Sequence, residues 1–250
     1  MKAFLTPLQG LAEFEQIKEK SKTNKGILQV SGCMESQKSH LMYGLSGIAP
    51  YRLILAEDER RAREIYEDYR FYDRKVYSYP AKDLLFFQAD IHGNLLICQR
   101  MKVIKALLEE KELTVVTSID GCMDFLESLE KIKEQLIHYE SDSTVDTEQL
   151  KNQLVALGYE RVGQVEMPGQ FSVRGGIVDI YCLTEENPWR IELWGDEIDS
   201  IRSFDPESQR SLENLEELTI YPAVEHIGDK DMVSFLDYFP EERTIIFLDE

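Results

Sequence analysis

The stretch Val165–Tyr181, VEMPGQFSVRGGIVDIY, sets two short runs, Phe171–Arg174 and Ile177–Tyr181, between a Pro168-Gly169 turn and a Gly175-Gly176 interruption. β-prone runs of this length with Pro-Gly and Gly-Gly punctuation read as antiparallel hairpins, and the double glycine suits a bulge. Side chains alternate across a strand, so Phe171 and Val173 share one face while Ser172 and Arg174 share the other. Arg174 is therefore expected to point to solvent when the apolar face packs inward. Outward from this stretch, Tyr159–Glu166, Arg190–Leu193 and Glu197–Phe204 continue the pattern and define a β-rich module.

On both sides of that module the style changes. Leu8–Lys22 has helical spacing, Gly26–Val30 reads as a strand, Ser31-Gly32 as a turn and Ser39–Leu45 as a helix. Strands at Arg52–Leu55, Lys75–Tyr77 and Leu113–Thr117 then alternate with helices at Glu57–Arg70 and Leu95–Glu110. Strands alternating with helices imply a mostly parallel sheet covered by helices. Asp120–Tyr139 reads as one helix, Glu140–Thr147 as a polar break, and a short helix starts near Leu150. The α/β style resumes at Thr219–Tyr221 and at Thr244–Glu250. The expected division is residues 1–120, an inserted module at 121–208, and a resumed α/β part at 209–250. Because TIIFLDE ends on a hydrophobic strand with no covering helix, the chain reads as a fragment of a longer protein.

With 250 residues, 43% of them hydrophobic, the chain can bury a core, so disorder as the main state is excluded. Its net charge of -19 argues against affinity built on phosphate contacts. The charge is uneven: residues 1–139 carry 21 acidic and 20 basic residues, whereas residues 140–250 carry 26 and 8. Such a step marks modules with different surfaces. Cys33, Cys98, Cys122 and Cys182 form no CxxC pair, so neither a disulfide framework nor a zinc site is indicated. The N-terminus lacks a signal peptide, no window reaches the roughly 20 apolar residues of a spanning helix, and a cytoplasmic, membrane-free protein is expected.

Two constellations could carry chemistry. Gly32–Ser39 (GCMESQKS) matches the phosphate-loop pattern G-x-x-x-x-G-K-[ST], with Lys38 and Ser39 in place but Gln37 where the second glycine belongs. A Cβ at that position hinders the close backbone approach that cradles phosphate, and the Glu35 carboxylate would repel it. A degenerate loop is expected, with Asp249-Glu250 at the Walker-B-like strand end. His40, His92, His138 and His226 are far apart, and no nucleophile elbow, HExxH or GxGxxG occurs, so hydrolytic or redox chemistry has no support. The other constellation is Arg161 and Arg174, set beside aromatic and glycine residues in an acidic background. Such arginines serve either as interface hot spots or as partners of nearby carboxylates.

VEMPGQFSVRGGIVDIY followed by PWRIELWGDEIDSIRSFDPESQRSLE, together with YPAKDLLFF at Tyr79–Phe87, resembles the N-terminal region of the bacterial transcription-repair coupling factors (Mfd) and, more distantly, the excision-repair protein UvrB. The resemblance implies a degenerate RecA-like α/β domain in two pieces with an inserted β-rich α+β domain. It implies that the insert binds UvrA, with Arg161, Arg174 and Tyr181 at contact positions and Phe171 beside them. It implies no cofactor for this segment, ATP and magnesium belonging to motor domains elsewhere in the full-length parent, which also meet RNA polymerase and DNA. In UvrB an aromatic hairpin that clamps DNA follows a Tyr-Pro pair; here Tyr79-Pro80 runs into Ala81–Leu85 with no room for one. The competing readings are an ATP-dependent, UvrB-like helicase domain using Lys38, Ser39 and the terminal acids, and a direct DNA binder.

Overall fold

A computed structural model describes residues 2–23, 26–82, 90–225 and 232–249. In chain order the elements begin with α1 (Lys2–Gln9), α2 (Ala12–Thr23), α3 (Glu35–Gly44), β1 (Tyr51–Ala56), α4 (Glu59–Tyr69) and β2 (Val76–Tyr79). Next come α5 (Asp90–Glu109), β3 (Leu113–Ser118), α6 (Ile119–Cys122), β4 (Phe125–Glu127), α7 (Leu129–Gln135), β5 (Ile137–Glu140) and α8 (Thr147–Ala156). The hairpin region follows as β6 (Glu160–Arg161), β7 (Gln170–Arg174), β8 (Ile177–Ile180), β9 (Trp189–Trp194), β10 (Glu197–Phe204) and β11 (Ser211–Asn214). The chain closes with β12 (Glu217–Ile220), β13 (Met232–Ser234) and β14 (Thr244–Leu248).

These elements form two compact units. The first holds residues 1–82, 109–124 and 234–250, and the second holds 83–108 and 125–233. In the first, a parallel sheet runs in the order β14-β1-β3-β2. β3 is buried along its whole length, as a strand covered on both faces must be. Ile54 and Ala56 of β1 pack with Ala62, Ile65 and Tyr69 of α4 and with Met42 and Tyr43 of α3. Asp58 starts α4 by accepting a hydrogen bond from the Arg61 N–H at 2.7 Å.

In the second unit, a six-stranded sheet runs in the order β11-β10-β9-β8-β7-β6, antiparallel throughout except for the parallel β6–β7 pair. Phe171, Val178, Ile180, Ile191 and Phe204 are completely buried in it. The double glycine is a two-residue hairpin turn, since Arg174 pairs with Ile177. Its two members are glycine for different reasons. Gly175 has φ +60, a conformation that side chains disfavour, whereas a Cβ on Gly176 would meet the Leu193 carbonyl oxygen at 2.8 Å. α5 belongs to this unit, where Arg100 pairs with Glu225 in the interior and Lys105 Nζ lies 2.6 Å from Glu185.

Several sequence expectations are corrected. Gly26–Val30 forms no strand: the segment is irregular, and Ile27 is 97% exposed. β propensity yields a strand only where a sheet edge accepts it, and these residues pair with none of the described strands. Leu8–Lys22 is split by the turn at Gly10 into α1 and α2. Asp120–Tyr139 is four short elements: Ser128 caps α7 by accepting from Lys131 N, and the alternating exposure of Ile137–Glu140 marks β5. α5, β11 and β12 fall in the unit that holds the hairpin sheet.

Candidate functional site

The degenerate phosphate loop carries its own counter-charges. It has no strand before it; Gly32 takes φ +88, and α3 begins at Glu35, so Gln37 lies in the first helical turn with its side chain 3.4 Å from the Met34 N–H. Lys38 Nζ lies 2.8 Å from both Asp249 and Glu35. Arg61 of α4 hydrogen-bonds Asp249 through Nε at 2.6 Å and pairs with Glu35 as well. Asp249 stands immediately after β14, where its own N–H bonds the Leu55 carbonyl at 2.9 Å. Two cations and two carboxylates thus close on each other at the carboxyl end of the parallel sheet. Ser39 is buried in α3. Glu250 lies outside the described residues, as do Asp83–Phe87, on which part of the UvrB hairpin reading rests.

Burial opposes ionisation of Asp249, but the hydrogen bonds from Arg61 and Lys38 outweigh it and hold its carboxyl below the usual range. Lys38 and Arg61 are both raised, chiefly by their hydrogen bonds to Asp249. A carboxyl depressed in the folded state contributes stability that is present above its unfolded pKa and lost as pH falls through its folded one. Asp249→Asn is expected to remove part of the acid-induced fall in Tm below about pH 4. Parallel Tm–pH curves that stay parallel down to pH 2 would show the cluster to be electrostatically idle.

The four residues singled out in the hairpin module occupy different environments. Phe171 is completely buried and Tyr181 is 8% exposed, its hydroxyl donating to the Glu186 carbonyl at 2.7 Å. Phe171 thus packs inward with the apolar face, as the alternation implies, and adjoins the expected contact positions from the core. Arg174 faces solvent as expected, with 44% of its side chain exposed, but one guanidinium nitrogen engages the fully buried Asp179. Asp179 also receives Arg190 at 2.7 and 2.9 Å, and the Arg190 guanidinium lies 4.4 Å from the centre of the Phe204 ring. Arg161 is exposed and makes no ion pair with any described residue. Its register partner is Phe171, so the pleat sets it on the face opposite to Arg174.

The sequence missed Asp179 as an organiser, although an acid between Val178 and Ile180 in a buried strand was its signal. It also missed Trp194, which ends β9 and is 83% exposed. Elsewhere, His138, Glu140 and Glu217 bring one ligand atom each to within 4.8 Å on β5 and β12, all of them exposed. No described helix is long and apolar enough to cross a membrane.

Residues 137–226, which span β5 through β12, match the UvrB interaction domain family. The chain is therefore one that carries a UvrB interaction domain. Its relatives are transcription-repair-coupling factors, to which it is similar over most of its length. The Bacillus subtilis protein is 36% identical over 213 residues, 79% of this chain. The Staphylococcus haemolyticus and Staphylococcus aureus proteins are each 35% identical over 162 residues, 65% of this chain. The matched region spans 18% of the Bacillus relative and 14% of the staphylococcal ones.

Proposed function

We propose that this chain is a UvrB-mimicking module of a transcription-repair coupling factor, that it recruits UvrA to stalled RNA polymerase in transcription-coupled nucleotide excision repair, and that it does no chemistry itself. The observation that carries the reading is the interaction-domain match at residues 137–226, which falls on the sheet that displays Arg174. An exposed guanidinium beside apolar surface is suited to charge-assisted, bidentate capture of a partner carboxylate. The parallel-sheet unit is a RecA-like domain that has lost nucleotide use: Gln37 and Glu35 oppose phosphate, and Lys38 is bound to Asp249. RNA polymerase and DNA are met by other parts of the parent, which hold the ATP-driven translocase, and the protein works in the cytoplasm.

Titration with UvrA tests this. The chain is expected to bind, and Arg161→Ala and Arg174→Ala are each expected to lose on the order of 2 kcal/mol of binding free energy. Both variants binding like the parent would sink the assignment of the arginines. Calorimetry with millimolar ATP is expected to show no heat, in the parent and in Gln37→Gly alike, because Gln37→Gly restores the glycine without freeing Lys38. A saturable ATP signal would instead favour the ATP-dependent helicase reading, and a gel-shift complex at low salt would favour direct DNA binding.

A further inference from the structure

Of the residues expected to contact UvrA, the two aromatic ones are buried, so the Arg174 patch lacks the aromatic anchor that interface hot spots ordinarily contain. The pairing register identifies a replacement. Arg174 lies opposite Ile177, Ile177 lies opposite Glu192, and Trp194 is two residues beyond Glu192 on the same face of the sheet. The β7–β8 and β9–β10 turns are at the same end, where the Leu193 N–H donates to the Gly176 carbonyl at 2.7 Å. Two strand spacings and two residues of rise put the Arg174 and Trp194 Cα atoms about 12 Å apart. Arg174 and Trp194 can therefore be covered by one partner surface, with the partly buried Ile177 between them.

The backbone that carries Trp194 is anchored. Trp194 pairs with Glu197 across the two-residue turn Gly195-Asp196, in which Gly195 has φ +66. From beneath, the Asp196 carbonyl accepts the Val145 N–H at 2.7 Å, and Ile198 N–H donates to the Ser143 carbonyl at 3.1 Å. An indole has only two χ angles, so it loses little entropy when it is covered, which favours affinity. A large indole 83% exposed beside an exposed guanidinium offers apolar area and charge together, and its complement is an apolar pocket flanked by a carboxylate.

We infer that Trp194 is the aromatic anchor of the UvrA contact and that it acts with Arg174 as one patch at the turn end of the hairpin sheet. This rests on the UvrA reading above. Trp194→Ala is expected to weaken UvrA binding about 30-fold or more, and Trp194→Phe to recover most of it. Because Trp194 is exposed, its variants should keep the parent Tm. The chain has two tryptophans, and Trp189 is 7% exposed, so iodide quenching of the free chain reports mainly Trp194. Saturating UvrA should remove that quenching and shift the emission to shorter wavelength. If UvrA binds the parent and Trp194→Ala equally and iodide still quenches the complex, the anchor is overturned while the UvrA reading stands. If UvrA binds neither, both fall.

Discussion

Asp179→Ala is expected to destabilise the second unit by about 3–5 kcal/mol, the usual cost of removing one partner of a buried ion pair. Asp179 has no exposed surface and faces two guanidinium groups, Arg190 from β9 and Arg174 from β7. Without the carboxylate, Arg190, whose side chain is only 15% exposed, keeps its stack on Phe204 but holds an uncompensated charge in the sheet. The cost should belong to the stranded cation more than to the lost attraction. Asp179→Leu combined with Arg190→Met is thus expected to recover most of the stability, since a well-packed apolar pair replaces a buried ionic one at little cost. Urea unfolding of the single and double variants measures both. A single-variant loss under about 1 kcal/mol would mean that water reaches the Arg190 guanidinium.

Phe171→Ala carries an effect of similar size, about 3–5 kcal/mol, for a different reason: it opens a cavity beneath a ring with no exposed surface. Its register partner is Ile180, itself fully buried, and β7 sits between β8 and β6. The contrast with the sheet's exposed residues is the diagnostic. Phe171→Ala should lower Tm and should affect UvrA binding only through the fraction unfolded, whereas Arg174→Ala should affect binding with little change in Tm. Retained Tm with lost binding in Phe171→Ala would return Phe171 to the interface.

How much of this was legible follows the range of each interaction. The hairpin at Gly175-Gly176 was readable because turn chemistry is local, and the parallel sheet because strands and helices alternate in sequence, whereas Pro168-Gly169 closes no hairpin, since β6 and β7 pair in parallel. Phe171 was assigned to its face correctly, but the alternation gave no warning that Ser172 is buried too, at 2% exposure, because the sheet is covered on both sides there. The Asp179–Arg190 pair required knowing that β8 and β9 are neighbours. The Lys38–Asp249 pair joins residues more than 200 positions apart, beyond any pattern in a single segment. Gly26–Val30 failed for the opposite reason, since local propensity was present and a tertiary partner was not.

The helix α5 has a consequence for taking the protein apart. It lies between β2 and β3 in the sequence, two strands that both belong to the parallel sheet, yet it packs with the hairpin unit. The polypeptide therefore passes from one unit to the other four times, and no single cleavage divides them. A segment trimmed to residues 137–226 would leave Glu225 without Arg100 and Glu185 without Lys105. During synthesis α5 emerges long before its partners: Glu185 follows Lys105 by 80 residues and Glu225 follows Arg100 by 125.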